Sequence, residues 1–449
     1  MSLTTKQQLQ DQEQSLRQAV DFALNVAQKA GASAEVSVTK VAGLSISTRL
    51  EKTENIEFNN DGSLGISVYL NQRKGNASTS DLQPQSIQRA VESALAIAKY
   101  TSEDKCAGLA DKALMAFDPI DLELYHQANI SVEQAVELAL ETEHYALHTD
   151  NRIVNSEGAT FNSHSGIRVY GNTHGMLTSY LSSRYSLSCS VIAEHSEQLE
   201  RDYEYTISRE FDKLQSPIWV GQQAAFKAVK RLNPRKIKTC EVPVIFYNDV
   251  ATGLIGHLAG AISGGALYRK SSFLLDHLGK QILPEWFAIS ERPHLLRQLA
   301  SSSFDSEGVR TQDREIITAG VLQTYLMTSY SACKMGLTTT GHAGGIHNWL
   351  VKPNCTGGLS GLLKQIDCGL LVTEFLGSAI NSVTGEYSRG ASGFWIENGE
   401  IQYPVAEITI AGQLQEMYQD IIAVADDVEY RSNIQTGSIL VNKMKISGE

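Results

Sequence analysis

The stretch GFWIENGEIQYPV, residues 393–405, carries the clearest fold signal in this chain. Apolar and polar residues alternate on both sides of Asn398-Gly399, a dipeptide that favours positive φ at both central positions of a tight turn. The stretch therefore predicts a β-hairpin. Further elements are predicted around it: two strands in 314–330, a helix in 412–424 and a last strand in 437–446. The second half is expected to be strand-rich, with mostly antiparallel sheet.

The first half shows helices and strands in an order that occurs twice. The motif Gly-Ile-x-Val-Tyr at 65–69 recurs at 166–170 within strand-like alternation. Apolar spacing predicts helices around the two copies, at 15–30, 86–99, 131–147 and 218–231. These signals indicate two α–β–α units, roughly 1–105 and 125–235; chance similarity of one short motif is the alternative. The fold class predicted for the whole chain is α+β.

Residues 231–243 are interpreted as an interdomain link, because they combine charge with Pro234 and Pro243. They would separate an N-terminal α+β domain, 1–235, from a β-rich α+β domain, 240–449. A chain of 449 residues is long enough for such a division.

Charge and composition exclude several classes of function. The net charge is −12, and the densest basic stretch, 227–238, is interpreted as a solvated helix end and linker, so direct nucleic-acid binding is not expected. The polar N-terminus and the lack of a long apolar run predict no secretory signal and no membrane span. Six dispersed cysteines indicate a reducing compartment rather than a disulfide scaffold. A cytoplasmic protein is expected.

Common catalytic motifs are missing from the sequence. It contains no G-x-S-x-G, no phosphate-binding G-x-x-x-x-G-K-[ST] and no G-x-G. It also contains no His-Glu dipeptide, the start of a helical zinc site. His342 and His347, in a glycine-rich loop, are the tightest plausible metal pair. The alternative is a flexible loop with solvated or hydrogen-bonded histidines and no carboxylate beside them.

Three long stretches resemble the TldD/PmbA family, and the PmbA branch, also called TldE, is the most similar. They are NNDGSLGISVYLNQRKGNASTSDL (59–82), the run at 299–349 that includes TTGHAGGIHNW, and VTGEYSRGASGFWIENGE (383–400). The resemblance implies that this chain shares the family's fold and forms a heterodimer with a TldD-like subunit. It also implies that the pair cleaves unfolded or extended peptides. In that pair the TldD-type chain binds the metal, expected to be zinc, through a His-Glu-x-x-x-His helix and a late cysteine. The family is also linked with modulators of DNA gyrase.

The sequence departs from the family's catalytic pattern in the corresponding helix, NDVATGLIGHLAGAISGGALYRKSSF (248–273). Alignment on its apolar pair places Gly256, His257 and Ala261 where the first His, the Glu and the second His would stand. Shifting the register so that His257 is the first ligand also fails, because Leu258 and Ile262 then fill the other two positions.

The ligand set cannot be completed from nearby residues either. No glutamate occurs between Glu241 and Glu285, and the last cysteine is Cys368. The resemblance therefore implies a chain without catalytic residues and without a metal or other cofactor of its own, with zinc in the partner. A homodimer or a monomer is expected when that partner is absent.

Two further features are assigned to binding surfaces. Ser388, Arg389 and Gly390 are predicted to border a peptide groove, where an edge strand would bind an extended chain through main-chain hydrogen bonds. Glycines recur every four residues at 256, 260 and 264, a small-residue face interpreted first as helix–sheet packing within this chain and second as a partner contact.

The leading functional hypothesis is thus a non-catalytic peptidase subunit that shapes a substrate chamber. An independent metallopeptidase using His342 and His347 is one alternative. A regulatory protein that binds a gyrase-related partner is the other.

Overall fold

The computed structural model describes residues 6–448. Its first half contains, in chain order, helix α1 (Lys6–Lys29), strands β1 (Ser33–Arg49), β2 (Lys52–Leu70) and β3 (Arg73–Thr79), helices α2 (Pro84–Tyr100) and α3 (Val132–His148), strands β4 (Ile153–Asn172), β5 (Leu177–His195) and β6 (Gln198–Ser208), and helix α4 (Pro217–Lys230). Among these described residues, and in the second half as well, no helix combines the length and apolarity needed to cross a membrane.

The six strands of the first half form one antiparallel sheet, ordered β3-β2-β1-β4-β5-β6. Alternation makes the sheet apolar on one face: Val36 and Val38 of β1 pack under α1 and α2, and Leu44 and Ile46 of the same strand pack under α3 and α4. The helix pair α1 and α2 therefore covers one half of the sheet's apolar face, and the pair α3 and α4 covers the other half. The two α-β-β-β-α groups meet at the centre of the sheet, where β1 and β4 pair antiparallel.

The repeated pentapeptide does not mark equivalent places in these two groups. Residues 65–69 lie on β2, the second strand of the first group, whereas 166–170 lie on β4, the first strand of the second group. Both strands flank β1, and the two tyrosines at the ends of the motifs donate hydrogen bonds to one carboxylate, Tyr69 to Glu35 at 2.8 Å and Tyr170 to Glu35 at 3.3 Å. The two groups thus repeat the order of their helices and strands. The two copies of the pentapeptide lie instead on β2 and β4, the two strands that flank β1.

The second half is rich in short strands. Its elements are β7 (Cys240–Phe246), α5 (Asn248–Ala261), α6 (Gly264–Tyr268), β8 (Ile289–Glu291), β9 (Arg314–Thr318), β10 (Val321–Leu322), α7 (Ser329–Met335), β11 (Trp349–Val351), α8 (Gly358–Leu363), β12 (Cys368–Ile380), β13 (Glu386–Glu397), β14 (Glu400–Gln413), α9 (Leu414–Gln419), β15 (Ile421–Val424), β16 (Ile434–Gln435) and β17 (Ile439–Ser447). The predicted α+β class with antiparallel sheet is confirmed.

These strands build two sheets. The smaller has the order β10-β9-β8-β11-β16, and the larger has the order β14-β13-β12-β7-β17-β15. An additional pairing of β14 with β17 closes the larger sheet on itself. The predicted hairpin is its β13–β14 corner, where Asn398 and Gly399 have φ of 53° and 71°.

Two predicted elements differ in the structure. The helix expected at 412–424 ends at Gln419, and the chain continues as β15, which pairs with β17 through Val424 and Ile439. Short apolar runs suit a helix or a strand equally, so tertiary pairing decided this segment. The second strand expected in 314–330 is only β10, two residues long.

A disulfide joins Cys106 to Cys333, 227 positions apart, and so connects the segment after α2 with α7. Beside it, Asp104 accepts hydrogen bonds from Tyr330 at 2.8 Å and from Lys334 at 2.9 Å. The dispersed cysteines were interpreted as evidence against a disulfide scaffold, and this single bond was not predicted. Sequence spacing gives no signal for this pair, because only the packing of the two halves brings the cysteines together.

Candidate functional site

Helix α5 is held firmly at the centre of the second half. It starts directly after β7, where the Asn248 side chain donates to the main-chain oxygen of Asp427 at 2.7 Å. Apolar residues at helical spacing bury its inner face, and the Tyr418 hydroxyl donates to the main-chain oxygen of Leu254 at 3.0 Å. The side chains of this helix are therefore placed with little freedom.

The three positions that match the family's metal motif point in different directions. Gly256 lines an open groove, and Ala261, 2% exposed, is part of the core. His257 lies on the helix face between the groove side and the core side, and its ring is edge-on to that of Tyr387 at a centroid distance of 5.9 Å. Only one potential ligand, a single imidazole, is present among them.

His257 is incompletely hydrogen-bonded, and its surroundings favour the neutral form of its ring. Its Nε2 atom is buried without a hydrogen-bond partner. Burial lowers the pKa of His257, and the positive charge of Arg389 lowers it further. A zinc site needs three or four convergent ligands, whereas these positions offer a single imidazole, so the residues here do not fit the zinc that the family resemblance implies for a catalytic chain.

Arg389 is fixed on β13 by contacts to β12. Its guanidinium lies 4.0 Å from the ring centroid of Phe375, and it donates two hydrogen bonds to the main-chain oxygen of Gly377, at 3.2 and 3.1 Å. Neighbouring Tyr387 is buried, which raises the pKa of its hydroxyl. The Arg389 side chain therefore tethers the end of β12 rather than projecting freely into a groove.

Ser388–Gly390, predicted to border a peptide groove, do not themselves offer a free strand edge, because β13 is an interior strand. Gly390 is opposite Leu376 of β12 on one side and Thr409 of β14 on the other. An added Cβ at Gly390 would lie 2.7 Å from the Leu376 oxygen. The backbone of β13 is thus already occupied by two neighbours, although Ser388 does line a cavity of about 830 Å³.

The free edge lies one strand away, on β12. The ladder between β12 and β7 ends at Val372, and among the described residues 373–380 have a strand neighbour, β13, on one side only. Leu376 is 51% exposed there. Thr373, Glu374 and Phe375 also line a cavity of about 850 Å³ between the two halves of the chain. This edge was missed because no strand was predicted at 368–380, and because the pairing of a strand's two sides is decided by tertiary structure.

Paired charges surround this cavity. Glu204 accepts from Lys227 at 2.8 Å and from Arg431 at 2.6 Å, and Arg431 also contacts Asp249 at 3.0 Å. Burial, followed by the hydrogen bond with Glu429, raises the pKa of Asp249 to about 6. The sequence interpretation of 227–238 as solvated is therefore wrong for Lys227, because its Nζ atom pairs with Glu204 and also lies 3.8 Å from Asp249 in the second half.

Arg231 belongs to the same boundary. Its side chain is 12% exposed and contacts Glu374 of the free β12 edge as well as Asp202 of β6, at 3.4 Å. The basic stretch thus supplies ion pairs inside the chain.

The glycine face of α5 is open over most of its length. A Cβ at Gly253 or Gly260 would meet nothing within 4 Å, and a Cβ at Gly256 would touch only Ile434, at 3.8 Å. Gly253 and Gly256 line a groove of about 520 Å³. Gly264, beyond the helix end, is the one packed closely, against Ser331. Close packing within the chain is therefore contradicted for Gly256 and Gly260.

His342 and His347 lie in a buried polar cluster around Glu291. The His342 Nε2 atom is 2.9 Å from one Glu291 oxygen, and the other oxygen accepts from the His347 amide at 2.8 Å and from the Trp349 indole at 3.1 Å. Burial favours a raised pKa for Glu291, but the hydrogen bond and charge of His342 hold it below its usual value. Of the two arrangements expected, solvated or hydrogen-bonded histidines, the structure has the hydrogen-bonded one. The expectation that no carboxylate lies beside them is wrong, because Glu291 comes from β8, far away in sequence.

Comparisons with known proteins agree along the whole chain. Family models described as PmbA/TldA metallopeptidase domain 1, central domain and C-terminal domain match residues 34–98, 125–232 and 239–448. The chain is 72% identical to a protein of Haemophilus influenzae named metalloprotease PmbA homolog, over 98% of each chain. It is 56% identical to metalloprotease PmbA of Escherichia coli O157:H7, again over 98% of each.

A solved structure is similar throughout. It is a Bacteroides thetaiotaomicron protein described as a modulator of DNA gyrase, 26% identical, with a TM-score of 0.91 and coverage of 100% of both chains.

Proposed function

Since the chain belongs to the PmbA/TldD metallopeptidase family, we propose that it is the non-catalytic subunit of a two-chain peptidase whose metal is bound by a TldD-like partner. In this role it shapes a chamber for unfolded or extended peptides. The observation that carries the proposal is α5, which presents a single imidazole, that of His257, where a metal-binding chain of this family needs two imidazoles and a carboxylate.

The free edge of β12 supports a way of holding the substrate. Main-chain groups of residues 373–380 have a strand neighbour on one side, so an extended peptide can add there as a further strand. Main-chain hydrogen bonds tolerate varied side chains, which suits a peptidase for unfolded chains. Leu376 is exposed on this edge and gives an apolar contact, while Arg389 fixes the main chain at Gly377.

Reconstitution tests the division of labour. This chain is mixed with a TldD-like chain, the mass is measured by light scattering, and cleavage of an unfolded peptide and zinc content are measured for each chain and for the mixture. We expect a heteromer, cleavage only by the mixture and catalytic zinc from the partner. Cleavage by this chain alone, or zinc bound to it that His257→Ala removes, would refute the proposal. Zinc removed by His347→Ala would instead favour an independent peptidase.

Hydrogen exchange tests the peptide edge separately. An unfolded peptide added to the reconstituted pair should slow amide exchange within 373–380. The matched control is the part of β2 at 52–63, another strand edge left uncovered because β3 pairs only from Leu64 onward. Protection of 52–63 with no change in 373–380 would contradict the proposed binding edge while leaving the subunit role to the first experiment.

A further inference from the structure

Glu51, His144 and His148 form a cluster of potential metal ligands on the first half, far in sequence from α5. One ligand atom from each residue lies within 4.8 Å of the others. The Nδ1 atoms of His144 and His148 are 2.6 and 3.7 Å from the same oxygen of Glu51. Two ligands at about 2.1 Å from a tetrahedral ion are roughly 3.4 Å apart, a value between these two distances. Only small movements are needed to admit an ion.

The two histidines face one way because they are four residues apart on α3. Their rings stack with centroids 4.3 Å apart and an interplanar angle of 29°. The Nδ1 atom of His148 is also 2.8 Å from the main-chain oxygen of His144, a hydrogen bond that ligation replaces. Two imidazoles on adjacent helical turns are the pattern by which helices bind zinc-class metals.

Glu51 is held opposite these rings by its own turn. Leu50 and Glu51 form the turn between β1 and β2, with φ of 49° and 58°, a conformation for which glycine or asparagine is preferred. The buried carboxylate of Glu143 accepts hydrogen bonds from both of their amides, at 2.7 and 3.0 Å. Glu143 directly precedes His144 on α3, so one helix turn fixes the strand turn and supplies the first imidazole. This preorganisation lowers the cost of assembling the three ligands.

The donor chemistry selects the class of ion. Two imidazole nitrogens and one carboxylate oxygen suit zinc and its neighbours among the divalent transition metals rather than magnesium or calcium, which prefer oxygen ligands. All three side chains are about half exposed, at 55%, 56% and 43% for His144, His148 and Glu51, so water can complete the coordination and the ion can exchange with solvent. An exposed His–Glu contact alone is a weak ion pair; the second imidazole distinguishes this site.

We propose that Glu51, His144 and His148 bind one exchangeable zinc-class divalent ion, which clamps the β1–β2 turn to helix α3. The site is independent of the proposed peptidase role, and its ion is separate from the zinc of the partner. It adds a metal to a chain for which the family resemblance implied none.

Calorimetric titration of the untagged full chain with zinc chloride tests the site, with cobalt absorption as a report on tetrahedral geometry. We expect one ion per chain, at least tenfold weaker binding in Glu51→Gln and in His148→Gln, and a metal-dependent rise in melting temperature that both variants lose. Glu51→Gln retains the main-chain amides that Glu143 binds, so folding is preserved. His195→Ala removes an exposed histidine from the β5–β6 turn and is the matched control, with binding unchanged.

Absence of binding, or binding that both variants retain, would overturn the assignment. The same titration with His257→Ala keeps the two proposals apart. Zinc binding that survives this variant and depends on Glu51 supports the surface site, whereas loss in His257→Ala would contradict the proposed function.

Discussion

His342 and His257 both lie in the second half of the chain, and they differ in how their ring nitrogens are satisfied. His342 is buried with both nitrogens partnered, Nε2 with Glu291 at 2.9 Å and Nδ1 with Thr340 at 2.8 Å. His257 has a buried Nε2 atom without a hydrogen-bond partner. A satisfied buried cluster stabilises a fold, whereas an unsatisfied imidazole marks a place where local structure is not optimised for stability alone. We therefore expect substitutions in the Glu291–His342 cluster to lower the free energy of unfolding strongly, and substitution of His257 to change it little.

Removal of the Glu291 carboxylate should lower the free energy of unfolding more than any other substitution proposed below. Glu291→Ala leaves the His347 amide and the Trp349 indole buried without their acceptor, and we expect a loss of about 3–5 kcal/mol in the free energy of unfolding, measured by urea denaturation. Glu397→Ala is the matched control, because Glu397 accepts from the Trp395 indole at 2.9 Å but is exposed; it should cost about 0.5 kcal/mol or less. Equal losses of stability in Glu291→Ala and Glu397→Ala would contradict the stabilising role of the buried Glu291 cluster.

The pH dependence of this cluster has a definite sign. The folded-state pKa of Glu291 is lowered, so its stabilisation is fully present above the unfolded value of about 4.3 and is lost as pH falls through the folded pKa. The stability difference between wild type and Glu291→Gln should therefore narrow below about pH 4. Urea denaturation over a pH series measures it, and a difference that widens on acidification would contradict the assignment.

Asp305 should show the opposite pH dependence of the stability difference between wild type and variant. Burial raises its pKa to about 7, although it accepts main-chain hydrogen bonds from Val309 and Ala343. Its folded-state pKa exceeds the unfolded value of about 3.9, so the stability of wild type relative to Asp305→Asn should fall as pH rises from about 4 to 7. The same denaturation series gives this result.

Two helical glycines test whether the open face of α5 is used within the chain. Gly260→Ala should raise the free energy of unfolding by about 0.5–1 kcal/mol, because the added methyl group meets nothing and the helix gains propensity. Gly221→Ala on α4 should instead lower it by about 1–3 kcal/mol, since its Cβ would lie 2.9 Å from the Ala146 amide of α3. Thermal and urea unfolding measure both. Destabilisation by Gly260→Ala would restore the packing interpretation.

Local sequence signals predicted the parts of the fold that depend on local geometry. Asn398-Gly399 determined the hairpin because its turn requires positive φ, and the spacing of apolar residues located α2, α3 and α4 within a few residues. The segment at 421–424 was assigned to the wrong element because its apolar run becomes a strand only by pairing with β17. The Cys106–Cys333 bond was missed for the same reason, since its partners meet only through tertiary packing.

The candidate site was predictable only at the level of motifs. Ser388–Gly390 is adjacent to the free edge, but the sequence could not show that β13 is interior and that β12 carries the edge. Glu291 is 51 positions from His342, so no local pattern could join them. Likewise, the deficient ligand set on α5 was visible from residue identity, whereas the influence of Arg389 on His257 required the three-dimensional arrangement.

The most direct test of the central claim is peptide cleavage by the reconstituted pair carrying His257→Ala. His257 stands where a catalytic group of the family would stand, yet burial and the charge of Arg389 lower the pKa of its ring, and its Nε2 atom has no partner. We predict activity within a few-fold of wild type and a stability loss of about 1 kcal/mol or less, read from the melting temperature of the same samples. A general base or metal ligand typically contributes about a hundredfold or more. A correctly folded His257→Ala pair that loses a hundredfold in rate would contradict the account, because this chain would then supply chemistry of its own.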